Sequence, residues 1–157
     1  MNHKIRYYFT IIAISLLISC NNDGRYEQRY SNYTQYNKMN ERNKGWFPDS
    51  LLKNDALNIK NDSFLKNGCV FGVFTYQDNK LYDSIFSNKA YLDSAAYESF
   101  ISQLEITKNS IPKWFLDVDY WKSEQRELIL IDEYYIYRDR QNKKIYYFHP
   151  QKRFNII

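Results

Sequence analysis

Histidine and cysteine are scarce in this chain of 157 residues, which has two of each: His3 and His149, Cys20 and Cys69. A structural zinc site needs about four nitrogen or sulfur ligands and a catalytic one about three. Beyond the N-terminal segment, one histidine and one or two cysteines cannot supply either. A serine hydrolase needs a histidine base, and no Gly-x-Ser-x-Gly turn is present to offer the nucleophile. His149, before Pro150, reads as an exposed residue just past a strand. Only four glycines are present, and phosphate-cradling loops need them clustered. Gly68 and Gly72 stand four apart inside a strand-like run, where close packing or a bulge explains them. Asp117 and Asp119 lack the further acids and loop glycine that a calcium site requires, and read as a surface loop. No metal or other cofactor is expected.

One-sided charge is also missing. The formal net charge is +4. Without Lys4 and Arg6, the other residues hold 20 basic and 18 acidic side chains. A nucleic-acid binder shows a basic stripe, and none is visible, so no nucleic-acid partner is expected. Aromatic residues are abundant instead, at 18% of the chain with 16 tyrosines.

The N-terminus has three zones. Lys4 and Arg6 open it without an acid, an apolar run follows over residues 7–18, and Asn21, Asn22 and Asp23 come directly after Cys20. A membrane-spanning helix needs about 20 apolar residues. This run is shorter, and it has the basic-then-apolar order of a secretory signal. Leu17, Ile18, Ser19 and Cys20 resemble the lipobox of bacterial lipoproteins. That resemblance implies that the Cys20 thiol receives a diacylglycerol, that residues 1–19 are removed as a signal peptide, and that acyl chains hold the protein to a membrane, since two or more chains anchor stably. Asn21 stands where inner-membrane lipoproteins of enteric bacteria usually carry Asp. The implied location is therefore the cell envelope, with the outer membrane favoured over the inner. If Cys20 is acylated, Cys69 has no partner in the chain, and between Gly68 and Val70 it reads as a small buried hydrophobe.

Residues 20–44 read as the lipidated cysteine and a solvated tether, with Met39 as the sole aliphatic residue after Cys20. Tyr26, Tyr30 and Tyr33 fall at helical spacing, but little else there can be buried. A single domain is expected over residues 45–157, opening at Gly45, Trp46, Phe47 and Pro48. Asp49 or Ser50 and then Asp55 are candidate caps of short turns, the second through Ala56, Leu57, Asn58 and Ile59. With Leu52, Ala56 and Ile59, this opening resembles a set of small, mostly uncharacterised bacterial lipoprotein domains that begin Gly-Trp-Leu/Phe-Pro. The chain departs from their pattern at Lys53 and Asp55. The resemblance implies a small α+β fold and no particular activity.

Residues 69–76 are rich in β-branched and aromatic side chains and predict a central strand, ended by turn residues 77–80. Asp93 is placed to cap a helix in which Ala96, Tyr97, Phe100, Ile101 and Leu104 recur on one face. Residues 128–131 begin a strand that continues through 134–137, turns at 139–142 and returns at 145–148 as a hairpin. The expectation is a small antiparallel sheet of about three strands with one main helix packed on it.

Two features remain as candidate sites. Asp132 and Glu133 interrupt a hydrophobic strand, but neighbouring strand residues point to opposite faces, so a bulge or strand break explains them better than a paired-carboxylate site. Trp114, Phe115, Tyr120 and Trp121 lie in an irregular segment after Pro112. Trp114, Tyr120 and Trp121 are the speculative binding residues, as a stacking platform for a glycan or an anchor for a protein; the alternative is a lid over the core. The favoured reading is a non-enzymatic binding domain of the envelope, attached to the membrane by its N-terminal lipid. Alternatives are an immunity lipoprotein that neutralises a toxin, an envelope hydrolase using Asp132 or Glu133, and a structural envelope component.

Overall fold

The computed structural model describes residues 24–41 and 44–150. The expected signal peptide over residues 1–19 and the expected lipidation site Cys20 lie outside the described residues. Six strands, β1 (Arg25–Asn32), β2 (Ala56–Phe64), β3 (Val70–Tyr76), β4 (Leu128–Ile131), β5 (Tyr134–Asp139) and β6 (Lys144–His149), form one antiparallel sheet in the spatial order β1-β2-β3-β6-β5-β4. Four helices accompany it: α1 (Tyr33–Lys38), α2 (Asn79–Ser84), α3 (Ser94–Ile106) and α4 (Val118–Ser123). The α+β class is as expected, but the sheet has twice the strands anticipated, and helices cover both faces.

Period-two alternation sorts the side chains onto those faces. One face carries Tyr30, Ile59, Phe74, Ile145, Tyr147 and Ile136, packed under Tyr36, Phe47, Leu51, Leu52, Tyr82 and Phe86. The other carries Phe71, Val73, Tyr146, Phe148 and Leu128 beneath Tyr97, Phe100, Leu104, Phe115 and Trp121. With cover on both sides, β3 is buried at every position except Thr75, which is why its sequence reads as an unbroken apolar run.

Helix α3 forms as its sequence predicts. The Asp93 carboxylate accepts from the Ala96 amide at 2.8 Å, and Tyr97, Phe100 and Leu104 turn inward. Burying each of these contributes roughly 1.5–3 kcal/mol. Asp78 and Asp117 cap α2 and α4 in the same way, accepting from Lys80 and Tyr120 amides. Asp117 is thus the first residue of a helical cap rather than part of an irregular loop.

The tether expected over residues 20–44 is corrected for most of its length. Residues 25–32 are a full edge strand paired with β2 from Arg25↔Phe64 to Asn32↔Leu57, and residues 33–38 are helical. Tyrosine replaces aliphatic residues there. Tyr30 packs edge-on against Tyr36 and tilted against Phe47, with ring centroids at 5.8 and 6.1 Å, and Tyr36 is wholly buried.

The turn expected at 56–59 is instead the start of β2. A register shift between Leu57 and Lys60, with Asn58 at φ 51°, breaks the alternation that would have revealed it. Farther along β2, the inward residues are polar and satisfied. Asn61 donates to Gln28 Oε1 at 2.8 Å and to Ser63 Oγ at 2.6 Å, while it accepts from the Tyr147 hydroxyl at 3.1 Å. Gln28 in turn donates to Glu41 at 2.8 Å. Buried polar groups are tolerable when paired like this.

Residues 128–131 and 134–137, expected as one strand, are two strands of a tight hairpin. Asp132 and Glu133 both have positive φ, 49° and 68°, the requirement of a two-residue turn matched to strand twist. His149 is corrected as well. It is the last residue of β6, opposite Val70, and it is buried.

Candidate functional site

The segment between α3 and α4 builds the site. The Phe115 amide donates to the Pro112 carbonyl at 2.8 Å, closing a turn that drives the Phe115 ring into the core against Phe71 and Tyr146, at 5.1 and 5.6 Å. Trp114, the preceding residue, is therefore turned aside over β2. Its indole Nε1 donates to Asp62 Oδ2 at 3.2 Å. Asp62 is fully buried, and it forms ion pairs with Arg25 at 2.6 Å and Arg29 at 2.7 Å. The Arg29 guanidinium also lies 5.4 Å from the centre of the Trp114 ring, within range of a cation–π contact. Strand β1 therefore supplies Arg29 against the tryptophan ring and both arginines that pair with Asp62.

Beside Trp114 the sheet face is left open. A groove of about 310 Å³ is lined by Asn58, Lys60, Val73, Phe74, Thr75, Trp114, Lys144 and Tyr146. The register explains the assembly: Lys60 stands opposite Val73, Val73 opposite Tyr146, and Thr75 opposite Lys144, so these side chains share one face. Lys60 and Lys144 are exposed and sit two strands apart and two residues out of step, about 12 Å on the diagonal, with an apolar floor between them. Burial raises the Tyr146 hydroxyl above its ordinary value, so it is a neutral phenol near neutral pH and the groove takes its charge from the lysines. The arrangement presents an aromatic wall, an apolar floor and two ammonium groups, which suits a ligand with a flat apolar face and an acidic substituent.

The three tryptophan-segment candidates do not share a site. Trp114 is half-buried at the groove. Trp121 is 1% exposed, packed edge-on between Phe100 and Tyr137, with its Nε1 donating to the Leu116 carbonyl at 3.3 Å. It is a core residue with no face for a ligand. Tyr120 shares a 2.7 Å hydroxyl contact with Tyr137 and carries the Arg126 guanidinium 4.3 Å above its ring. It opens on a different cleft, of about 430 Å³, where Arg126, Arg138 and Arg140 are interleaved with Glu124, Glu127 and Asp139. Those arginines already pair with Glu124, Asp83 and Glu127 respectively.

Asp132 and Glu133 are exposed at the tip of the β4–β5 hairpin. Asp132 accepts from the Ser50 hydroxyl, and Glu133 faces His149 at 3.7 Å. Cys69 is free and fully buried, and desolvation pushes its thiol up to about 11, which leaves it a protonated, unreactive thiol near neutral pH. Among the described residues no cluster of histidine, cysteine, aspartate and glutamate is placed to hold a metal ion, and no helix is long and apolar enough to cross a membrane.

Lys60, Lys144, Arg29 and Asp62 were not legible as site residues. Each is unremarkable locally, and only the register of β1, β2, β3 and β6 brings them around Trp114. No protein-family model, no curated protein and no solved structure matches this chain.

Proposed function

We propose that the chain is a lipid-anchored lipoprotein of the cell envelope whose domain binds an acidic glycan in the groove beside Trp114. The anchor is supported by the basic start, the short apolar run and the lipobox-like Leu17, Ile18, Ser19 and Cys20. The binding role is carried by one observation: a half-buried indole, fixed by Asp62 and Arg29, walls an apolar groove flanked by two exposed lysines. A sugar ring lays its apolar face on an aromatic wall, and a carboxylate on that ring meets the ammonium groups. A binding role is favoured over hydrolysis with Asp132 or Glu133, because both acids are exposed on a hairpin tip.

Titration with uronic-acid oligosaccharides, followed by isothermal calorimetry, tests the groove. The acidic oligosaccharide is expected to bind and its neutral counterpart to bind at least about tenfold more weakly, a difference near 1.4 kcal/mol. Trp114→Ala and the Lys60→Ala/Lys144→Ala pair should each weaken the acidic ligand by a similar factor. Equal affinity in wild type and Trp114→Ala would remove the groove from the reading. For the anchor, metabolic labelling with radioactive palmitate is expected to mark the wild type and not Cys20→Ser.

A further inference from the structure

The distance from the anchor to the fold is short. Cys20 precedes Arg25, the first residue of β1, by five peptide steps, and an extended chain covers at most about 18 Å in that length. A domain so tied cannot stand clear of the bilayer; one end of it must lie at the headgroups. That end is set by the ladder. The Leu65 amide donates to the Gly24 carbonyl at 2.9 Å, so the β2–β3 turn is the part of the domain beside the entering chain.

The surface there has the composition of a membrane interface. Leu65 and Tyr26 are 48% and 47% exposed, and Tyr26 leans on the half-buried Trp46 with ring centroids 5.6 Å apart. Lys66 is exposed beside Leu65, and Arg25 and Lys44 lie at the same corner, 38% and 48% exposed. Aromatic side chains prefer the headgroup level, and basic ones are drawn to anionic lipid. The acids at this corner are paired with these same bases, so Arg25, Arg29, Lys44 and Lys66 exceed Glu27, Glu41 and Asp62 by one positive charge. Glu27 pairs with Arg25 and Arg29, Asp62 is buried between the same arginines, and Glu41 pairs with Lys44. Asp132 and Glu133 share this end of the sheet but lie on the β4–β5 side, about 20 Å from β1 and about 14 Å from the β2–β3 turn, so tilting onto the β1 edge lifts them from the bilayer.

We propose that the corner formed by Tyr26, Trp46, Leu65 and Lys66, with Arg25 and Lys44, docks on an anionic lipid surface and fixes the orientation of the domain. This rests on acylation of Cys20. It leaves the groove, whose Thr75 and Lys144 lie toward the other end of β3 and β6, facing away from the membrane.

The test uses the acylated protein, purified in detergent and reconstituted into phosphatidylethanolamine–phosphatidylglycerol vesicles. An environment-sensitive fluorophore is placed on Lys66→Cys or, as the control at the opposite end, on Gln141→Cys; Cys69 is buried and stays unlabelled. The mass of the N-terminal peptide is measured on the same sample. The label at position 66 is expected to be quenched by headgroup-level lipid quenchers several-fold more than the label at 141. Adding Leu65→Asp, an exposed position that leaves the core intact, should bring the two labels to the same level. Replacing phosphatidylglycerol by phosphatidylcholine should reduce the difference. An acylated protein whose two labels are quenched alike overturns the docking and leaves the anchor standing. A Cys20 without acyl chains overturns both.

Discussion

Raising the pH beyond 10 is expected to unfold this protein in one cooperative step, with tyrosinate absorbance appearing as near-ultraviolet circular dichroism is lost. The cause is the use of tyrosine as core material. Burial pushes the hydroxyls of Tyr76 and Tyr82 up to about 12 from 10.0, and it raises those of Tyr30, Tyr97, Tyr134, Tyr137, Tyr146 and Tyr147 as well. Both states keep the proton below pH 10, so the contribution to stability is fully present there. Above it the unfolded chain loses protons that the folded chain retains, and stability falls until the pH passes the folded values. For Tyr76, which is 5% exposed, a gap of about two pH units amounts to about 2–3 kcal/mol. Tyr76 and Tyr82 together reach the lower end of the roughly 5–15 kcal/mol that holds an ordinary domain, and the other raised hydroxyls act in the same direction. Gradual tyrosinate formation centred near pH 10, with the dichroism unchanged, would show that these hydroxyls are not buried as described.

The same choice of tyrosine explains how much of the fold the sequence reveals. Strand β3 and helix α3 are legible because Val70, Phe71, Val73 and Phe74 are β-branched or aromatic, and because Asp93 caps a segment whose apolar residues recur at helical spacing. The β5–β6 hairpin is legible for similar reasons. Strand β1 is not. Its inward side chains are Gln28 and Tyr30, and a pattern sought in aliphatic residues finds nothing there. In β2 the inward Asn61 and Ser63 look like surface residues until Gln28 and Tyr147 are brought to them by pairing. The Asp132–Glu133 turn is hidden because two-residue hairpins favour Asn-Gly or Asp-Gly, and glutamate rarely takes positive φ. At the candidate site, Trp114 is visible as an aromatic residue in an irregular segment. Its partners Asp62 and Arg29 are 52 and 85 positions away in sequence, and only strand register assembles them.

That register has one tight point. Replacing Gly72 by alanine is expected to destabilise the protein by about 2–6 kcal/mol, the opposite of what strand propensity predicts, since glycine inside a strand ordinarily costs roughly 0.5–1 kcal/mol relative to alanine. Gly72 lies on β3 between Asn61 of β2 and Tyr147 of β6. The Tyr147 ring crosses directly over it, and a Cβ at position 72 would fall 1.8 Å from Tyr147 Cζ and 2.2 Å from its hydroxyl oxygen. Only by crossing a bare backbone can that hydroxyl reach Asn61 Oδ1, two strands away, at 3.1 Å. Alanine would force the ring aside, an overpacking cost of about 1–3 kcal/mol. It would also take from the buried Asn61 its phenol donor, a further cost of about 1–3 kcal/mol. Urea unfolding of Gly72→Ala measures the sum. The cause is isolated by a double-variant cycle with Tyr147→Leu, in which the two changes should cost at least about 1 kcal/mol less together than separately, because the clash disappears with the ring. A Gly72→Ala protein as stable as wild type, or more so, would mean that Tyr147 does not lie across the strand. The side-chain hydrogen bonds that tie β2 to β1 through Asn61 and Gln28, and with them the seat of Asp62 beside Trp114, would then need another origin.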